Sequence, residues 1–262
     1  MSFFDWTVVL AAAFVLGLSK SGIKGISIII VALMVLVFDA KASTGILLPM
    51  LLVGDICAVI YYNRHAQWKY LFRLLPFMML GVVLGTFVGK KMDEELFRKS
   101  MAIVIFISVV IMFWWDRRKS KAVPKHIGFA GLMGLTAGFT TMVGNLAGSF
   151  SNIFFLAMRL PKDVFIGTTA WLFLIINLFK VPFHVFSWGT ITWETLKINL
   201  VVIPAILLGL FIGIKLLKKV NDKLFRQFIL VMTAIGAQFS SISPKPILNL
   251  VTFKSNQAYF LR

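Results

Sequence analysis

An all-α polytopic membrane protein is the fold class that three features of the sequence predict, built as two inverted-topology repeats of five hydrophobic segments each. Broken or hairpin half-helices are expected at the start of each repeat. The first feature is composition. The chain is 59% hydrophobic and only 14% charged, with a mean hydropathy of +0.91, far more apolar than a domain that folds in water. The second is that apolar windows recur from Phe3 to Ala237, with no polar stretch between them long enough to fold alone. The third is that the second half repeats landmarks of the first at two constant offsets.

Hydropathy divides the chain into segments at about 4–18, 25–38, 42–62, 71–89, 99–115, 126–139, 146–158, 164–186, 195–216 and 225–240. At one offset Gly22 and Gly45 meet Gly144 and Gly167. At the other, Pro76, Gly81, Gly85, Lys90-Lys91 and Leu96-Phe97-Arg98 meet Pro204, Gly209, Gly213, Lys218-Lys219 and Leu224-Phe225-Arg226. A six-residue insertion between the third and fourth segments accounts for the change. The expected organisation is a first repeat at 1–115, a basic cytoplasmic linker at 116–125, a second repeat at 126–243 and a polar C-terminal tail at 244–262.

A unit with an odd number of crossings forces its copy to enter the membrane from the opposite face, as in many secondary transporters. The first two segments, at 4–18 and 25–38, are shorter than the apolar thickness of a bilayer, so they either cross or turn back as a hairpin. Three crossings per unit are still odd. Lys and Arg gather on the cytoplasmic side of short loops, and their distribution fits an outside N-terminus. One side then receives Lys20, Lys24, Arg64, Lys69, Arg73, the run from Arg117 to Lys125, Arg159, Lys162, Lys215, Lys218, Lys219, Lys223 and Arg226. The other receives Lys41, Lys90, Lys91, Arg98, Lys99, Lys245, Lys254 and Arg262. An outside C-terminus follows.

The net charge of +17 sits in these short connections and not along one face, so it reads as topology and not as a nucleic-acid surface. No basic leader precedes the first apolar run and no small-residue cleavage site follows it, so that run is expected to stay in the mature chain. Cys57 is the single cysteine and lies in an apolar run, where packing is its expected role. Trp6, Trp68, Trp188 and Trp193 fall near segment ends, as interfacial anchors do. His65, His126 and His184 lack carboxylate neighbours and are expected to be solvated. Gly81 with Gly85, and Gly209 with Gly213, have the spacing that lets helices approach closely.

Chemistry is concentrated at two places in each unit. The string Gly17-Leu-Ser-Lys-Ser-Gly-Ile-Lys-Gly25 interrupts an apolar hairpin, and Gly138 to Gly148 does so in the second half. Breaking a helix within the membrane leaves backbone groups that only protein or a watery cavity can cover. The half-helix that follows presents free N–H groups and the positive end of its dipole to an anion. Ser19, Ser21, Gly22, Thr140, Thr141, Gly144 and Asn145 are candidate neutral donors or close-approach positions, and Lys20 and Lys24 candidate charges. The competing reading is a pair of interfacial turns whose lysines snorkel to lipid phosphates.

The third segments supply the other set. Asp55 lies deep in one apolar run, where an ionised side chain must be paired, protonated or exposed to a cavity. Its partner by repeat is Asn177. Lys180 follows three residues later on the same helical face, and Thr168 and Thr169 open that segment. These residues are expected to line a substrate path, with Asp55 as a proton or counter-charge site; the alternative is an interhelical hydrogen bond that joins the repeats. Donors without a carboxylate cluster favour an anion over a cation, and no metal or other cofactor is expected. The segments carry no HExxH, GxSxG or CxxC motif and no close acidic pair, which argues against an intramembrane enzyme. An anion channel or a non-transporting membrane subunit is the alternative to a carrier, lipid is the surrounding partner, and a homo-oligomer is compatible with the sequence.

The break at Gly17–Gly25, the run with Lys41, Gly45, Leu47, Leu48, Pro49 and Asp55, the second break from Ala137 through Gly144, Asn145 and Gly148, and the stretch with Gly167, Thr168, Thr169, Ala170, Asn177 and Lys180 together resemble the sulfite exporter TauE/SafE family of membrane transporters. The likeness runs from residue 1 to about 237. It implies a secondary transporter in the cell membrane that exports sulfite, sulfoacetate or a related organosulfonate by alternating access, with the breaks of both repeats at the site. One departure is that the tenth segment gives way after Ala237 to Gln-Phe-Ser-Ser-Ile-Ser-Pro-Lys-Pro, so a short or atypical final helix is expected.

Overall fold

The computed structural model describes residues 1–22, 26–62, 65–117, 127–158 and 160–218. Lys24, His126, the linker after Arg117, the tenth segment at 225–240 and the tail at 244–262 lie outside them. Among the described residues the secondary structure is helical, without strands: α1 (Phe3–Lys20), α2 (Ser27–Val37), α3 (Ala40–Tyr62), α4 (Trp68–Lys90), α5 (Glu94–Arg117), α6 (Ile127–Gly144), α7 (Ala147–Ala157), α8 (Lys162–Pro182) with a π-turn at Phe183–Ser187, and α9 (Trp193–Lys218). Among the described residues six spans are long and apolar enough to cross a membrane: α1, α3, α4, α6, α8 with its π-turn, and α9. The helices α2 and α7 have 11 residues each, about 17 Å at 1.5 Å per residue, roughly half a bilayer core.

Local chemistry sets the ends. Ser2 and Asp5 form a reciprocal capping box that starts α1. The start of α3 is capped from another helix, the Glu94 carboxylate accepting from the Ala40 and Lys41 N–H groups. Lys41 Nζ donates to the Gly89 carbonyl at 2.9 Å, tying the start of α3 to the end of α4. α6 closes on Asn145 at φ 56, with Asn145 N–H donating to the Thr141 carbonyl and Leu146 N–H to the Thr140 carbonyl. The Asn145 bond, reaching four residues back, is the αL form of helix closure, with asparagine in the left-handed position. Gly22, at φ 120, has that role after α1. The turn residues that match are therefore Gly22 and Asn145, one position away from the Gly22–Gly144 pairing of the sequence, and Gly144 is the last helical residue of α6.

Three crossings organise the bundle: α1 on α9, α4 on α6, and α3 on α8. Two of them are made by glycine. A Cβ at Gly17 would strike the Ile206 carbonyl and one at Gly209 the Phe14 carbonyl, so α1 and α9 touch backbone to backbone. Gly81 lies on the Leu135 carbonyl and Gly138 on that of Met78, which brings α4 onto α6 in the same manner. Gly45 of α3 seats Thr190 beyond the end of α8, and Gly167 of α8 seats the carbonyl of Tyr62 at the end of α3. The two helices thus run antiparallel. The core has two main parts, one formed by α1, α2, α3 and parts of α5 and α9, the other by α6, α7, α8 and part of α4. Outward faces of α4 and α9 carry Phe72, Phe87, Leu200 and Phe211, all more than half exposed. Such a surface is a liability in water and a normal lipid face in a bilayer.

Two residues depart from their expected surroundings. His184 is fully buried, because it continues the Asn177–Lys180 face of α8 into the π-turn. Trp188 is half-buried and does not act as an anchor. Its indole N–H donates to the Thr86 carbonyl at 3.1 Å and its ring stands edge-on to Phe97. Trp68 and Trp193 are exposed, as anchors are.

Candidate functional site

The breaks after α1 and α6 and the middles of α3 and α8 meet around one buried polar network. Lys20 Nζ donates to Asp55 Oδ1 at 2.6 Å, with Asp55 fully buried and Lys20 9% exposed. Asn177 Nδ2 donates to the other carboxylate oxygen at 2.7 Å. Lys180 Nζ, also fully buried, donates to Asn145 Oδ1 at 2.5 Å, Thr141 Oγ1 at 3.3 Å and Asn177 Oδ1 at 3.5 Å. Asn145 Nδ2 in turn donates to the Thr44 carbonyl at 3.1 Å. An unbroken chain of hydrogen bonds therefore runs from α1 through α3 and α8 to the end of α6.

The network makes chemical sense as a device for keeping charge in an apolar core. A buried ammonium or carboxylate is tolerated only when paired and hydrogen-bonded. Asp55 has Lys20 and Asn177, and the three N–H donors of Lys180 face three oxygens. Two basic groups and one acidic group share the site, so its formal charge is positive when all three are ionised.

Beside the network lies a cavity of ≈ 40 Å³, enough for about three water molecules. Its polar wall is formed by Ser19, Lys20, Ser27, Thr141, Asn145, Asn152 and Asn177, and its apolar wall by Leu16, Ile30, Val31, Leu47, Leu51, Ala147 and Phe173. Lys20 Nζ stands 5.2 Å above the Phe173 ring. The half-helices α2 and α7 both begin without a side-chain cap, and their first residues Ser27, Ala147 and Gly148 line this cavity. Two uncapped helix starts and one lysine converging on a small space suit a negatively charged guest.

The residues singled out from sequence separate into groups. Ser19, Lys20, Thr141, Asn145 and Asn177 line the cavity, with Asp55 and Lys180 directly behind them in the network. Ser21 donates to the Leu18 carbonyl and accepts the Tyr62 hydroxyl on its own carbonyl, and Gly22 forms the turn. Thr140 bonds back within its own helix. Thr168 accepts the Gln67 N–H at 2.9 Å and Thr169 bonds the Ile166 carbonyl, so both hold the far end of α8 and do not line the cavity. Lys20 is paired inside the protein and does not snorkel. The interhelical hydrogen bond weighed for Asp55 and Asn177 is present.

Sequence reasoning passed over Ser27, Asn152 and Phe173. Asn152 is 5% exposed, and its Oδ1 has no hydrogen-bond partner among the described residues. A polar residue inside the apolar run 146–158, on the half-helix after a break, was the available signal.

Set against known proteins, residues 9–239 match the family model described as Sulfite exporter TauE/SafE. Comparison with curated proteins and with solved structures gives no match.

Proposed function

Because the chain belongs to the sulfite exporter TauE/SafE family, a family of multi-pass membrane transporters, we propose that it exports a small sulfur-containing anion, sulfite, sulfoacetate or a related organosulfonate, by alternating access. The observation that carries this reading is the cavity between two uncapped half-helices with Lys20 on its wall. In this reading Lys20 supplies charge, Ser19, Thr141, Asn145 and Asn177 supply hydrogen bonds, and the starts of α2 and α7 supply backbone N–H groups. Asp55 is the internal counter-charge that holds Lys20 when no anion is bound. Lys180 positions the Asn145 and Asn177 amides from behind.

The reading of the chain as two inverted five-segment units draws support from the packing. α1 contacts α9 as α6 contacts α4, α3 and α8 run antiparallel against each other, and Asp55 bonds its own repeat partner Asn177. Exchange of this kind is what a two-fold axis in the membrane plane produces. The proposal places both termini outside the cell, so an epitope at the N-terminus is expected to be reached by antibody on intact cells, and staining only after permeabilisation would reverse the orientation.

Counterflow tests the activity. Proteoliposomes preloaded with unlabelled sulfite or sulfoacetate are expected to accumulate labelled anion transiently, as a carrier does. A pore gives downhill flux alone. Lys20→Ala is expected to weaken anion binding roughly ten- to hundredfold, the size of one lost charge-assisted hydrogen bond. Wild-type affinity and flux in that variant would remove Lys20 from the site, and the parallel Lys24→Ala variant tests the second lysine of the break.

A further inference from the structure

The polar stripe of α8 extends past the proposed site to a titratable group that the site does not use. Asn177, Lys180 and His184 are spaced three and then four residues apart, on one helical face. The first borders the cavity and the second holds its wall. The third is fully buried in the π-turn that follows Pro182, a backbone form that recurs at functional sites. His184 Nδ1 lies 2.8 Å from Thr190 Oγ1, while Nε2 is buried with no hydrogen-bond partner among the described residues. The ring stands edge-on to Trp188 with centroids 5.1 Å apart.

The groups around this ring leave a second positive charge poorly compensated. On its own helix the neighbouring ionisable group is Lys180. From α3 comes Lys41, whose ammonium lies 5.4 Å over the Trp188 ring, and from α5 comes Glu94, already engaged with the Ala40 and Lys41 N–H groups. α4 offers the Thr86 and Gly89 carbonyls, which accept from Trp188 and Lys41. Asp55 is held by Lys20 and Asn177. A proton on His184 therefore enters a site rich in lysine, and an anion in the cavity bordered by Asn177, about two turns back along the same face, supplies the missing negative charge.

Resting on the transport reading above, we propose that His184 takes up a proton together with the anion, so that the two bind cooperatively and the proton is carried on a residue separate from the anion-binding lysine. Reciprocity requires that the anion favour the proton as much as the proton favours the anion. His184 also contacts Thr190, which sits on Gly45 near the start of α3. Its charge state thus reaches the contact between α3 and the segment that follows α8.

The test measures sulfoacetate binding to the whole protein in nanodiscs between pH 6 and pH 8, a range over which this anion keeps its charge. Wild-type affinity is expected to strengthen as pH falls, by as much as about tenfold per unit for one linked proton, and His184→Gln to abolish that dependence. Tryptophan fluorescence gives a second readout that needs no anion, since a protonated imidazole quenches an adjacent indole. The acid quench should vanish in both His184→Gln and Trp188→Phe. Should His184→Gln fail to fold, Thr190→Val keeps the histidine but removes its Nδ1 partner, and the midpoint is expected to move. A wild-type pH dependence retained in His184→Gln, or an unmoved midpoint in Thr190→Val, overturns the coupling while leaving transport intact. No anion binding at any pH sinks the transport reading itself.

Discussion

Asp55→Leu is expected to stop counterflow and to lower stability by about 3–5 kcal/mol, the cost of removing one partner from a buried ion pair. Asp55 is fully buried and accepts from Lys20 at 2.6 Å and Asn177 at 2.7 Å. Without it, the Lys20 ammonium and the Asn177 amide lose their shared acceptor, and only the small cavity beside them can offer water in its place. The double variant Lys20→Met/Asp55→Leu is expected to recover most of the stability, since replacing both members of a buried pair by apolar groups is often neutral. It should recover none of the transport. Thermal unfolding in detergent and counterflow separate the two outcomes.

Asp55→Asn divides charge from hydrogen bonding at the same position. The amide can still engage Asn177, but Lys20 no longer has an internal anion to compete with the external one. Anion affinity is therefore expected to rise, by about tenfold or more for one buried charge removed, while turnover falls because the anion is released slowly. Weaker anion binding in Asp55→Asn would mean that the carboxylate helps to hold the guest and does not compete with it.

The second large effect is expected at the glycine crossings. Gly138→Val places a branched side chain on the Met78 carbonyl, at a contact where α4 also brings Gly81 and Gly85 against α6. Helix backbones cannot give way as a flexible side chain can, so the loss should reach or exceed the roughly 1–3 kcal/mol typical of overpacking. Gly209→Val, which meets the Phe14 carbonyl at the α1–α9 crossing, should cost about as much if the two crossings are equivalent. Gly131→Ala is the control, because its added Cβ meets only the edge of the Phe77 ring at 3.4 Å. Equal thermal stability across all three variants would contradict the crossings as described.

Much of this arrangement was legible in the sequence, for identifiable physical reasons. Glycine spacing within apolar runs betrays close helix approach, so Gly81, Gly85, Gly209 and Gly213 pointed to the crossings. A lone carboxylate in an apolar run must find a partner, so Asp55 pointed to a buried site. What stayed hidden was which partner it takes. Lys20 and Lys24 are equivalent as letters, and only the length of α1 decides that Lys20 still lies on the helix. Lys180 was legible as a buried cation, but not as one whose three donors all face protein oxygens behind the cavity wall. Thr168 and Thr169 carried the same polarity as Thr141, yet they sit at the end of α8 that bonds the connection after α3. His184 was misread because it lies near a segment end without a carboxylate neighbour, whereas its face is set by Asn177 and Lys180 a turn or two earlier.

The pairing of α1 with α9 has a consequence for how the chain is made. The face of α1 bearing Ala12, Ala13, Leu16 and Gly17 is buried, and its seat includes Ile206 and Leu210, about 190 residues further along. At roughly 5–20 residues per second, the ribosome delivers that seat some 10–40 seconds after α1. Until then the small-residue groove of α1 lacks the helix that fills it. Neither half of the chain can complete its own packing, because each waits for a helix encoded in the other. Assembly of this crossing thus waits for α9. Two separately synthesised halves, divided in the linker, should be able to find each other in the membrane and finish it.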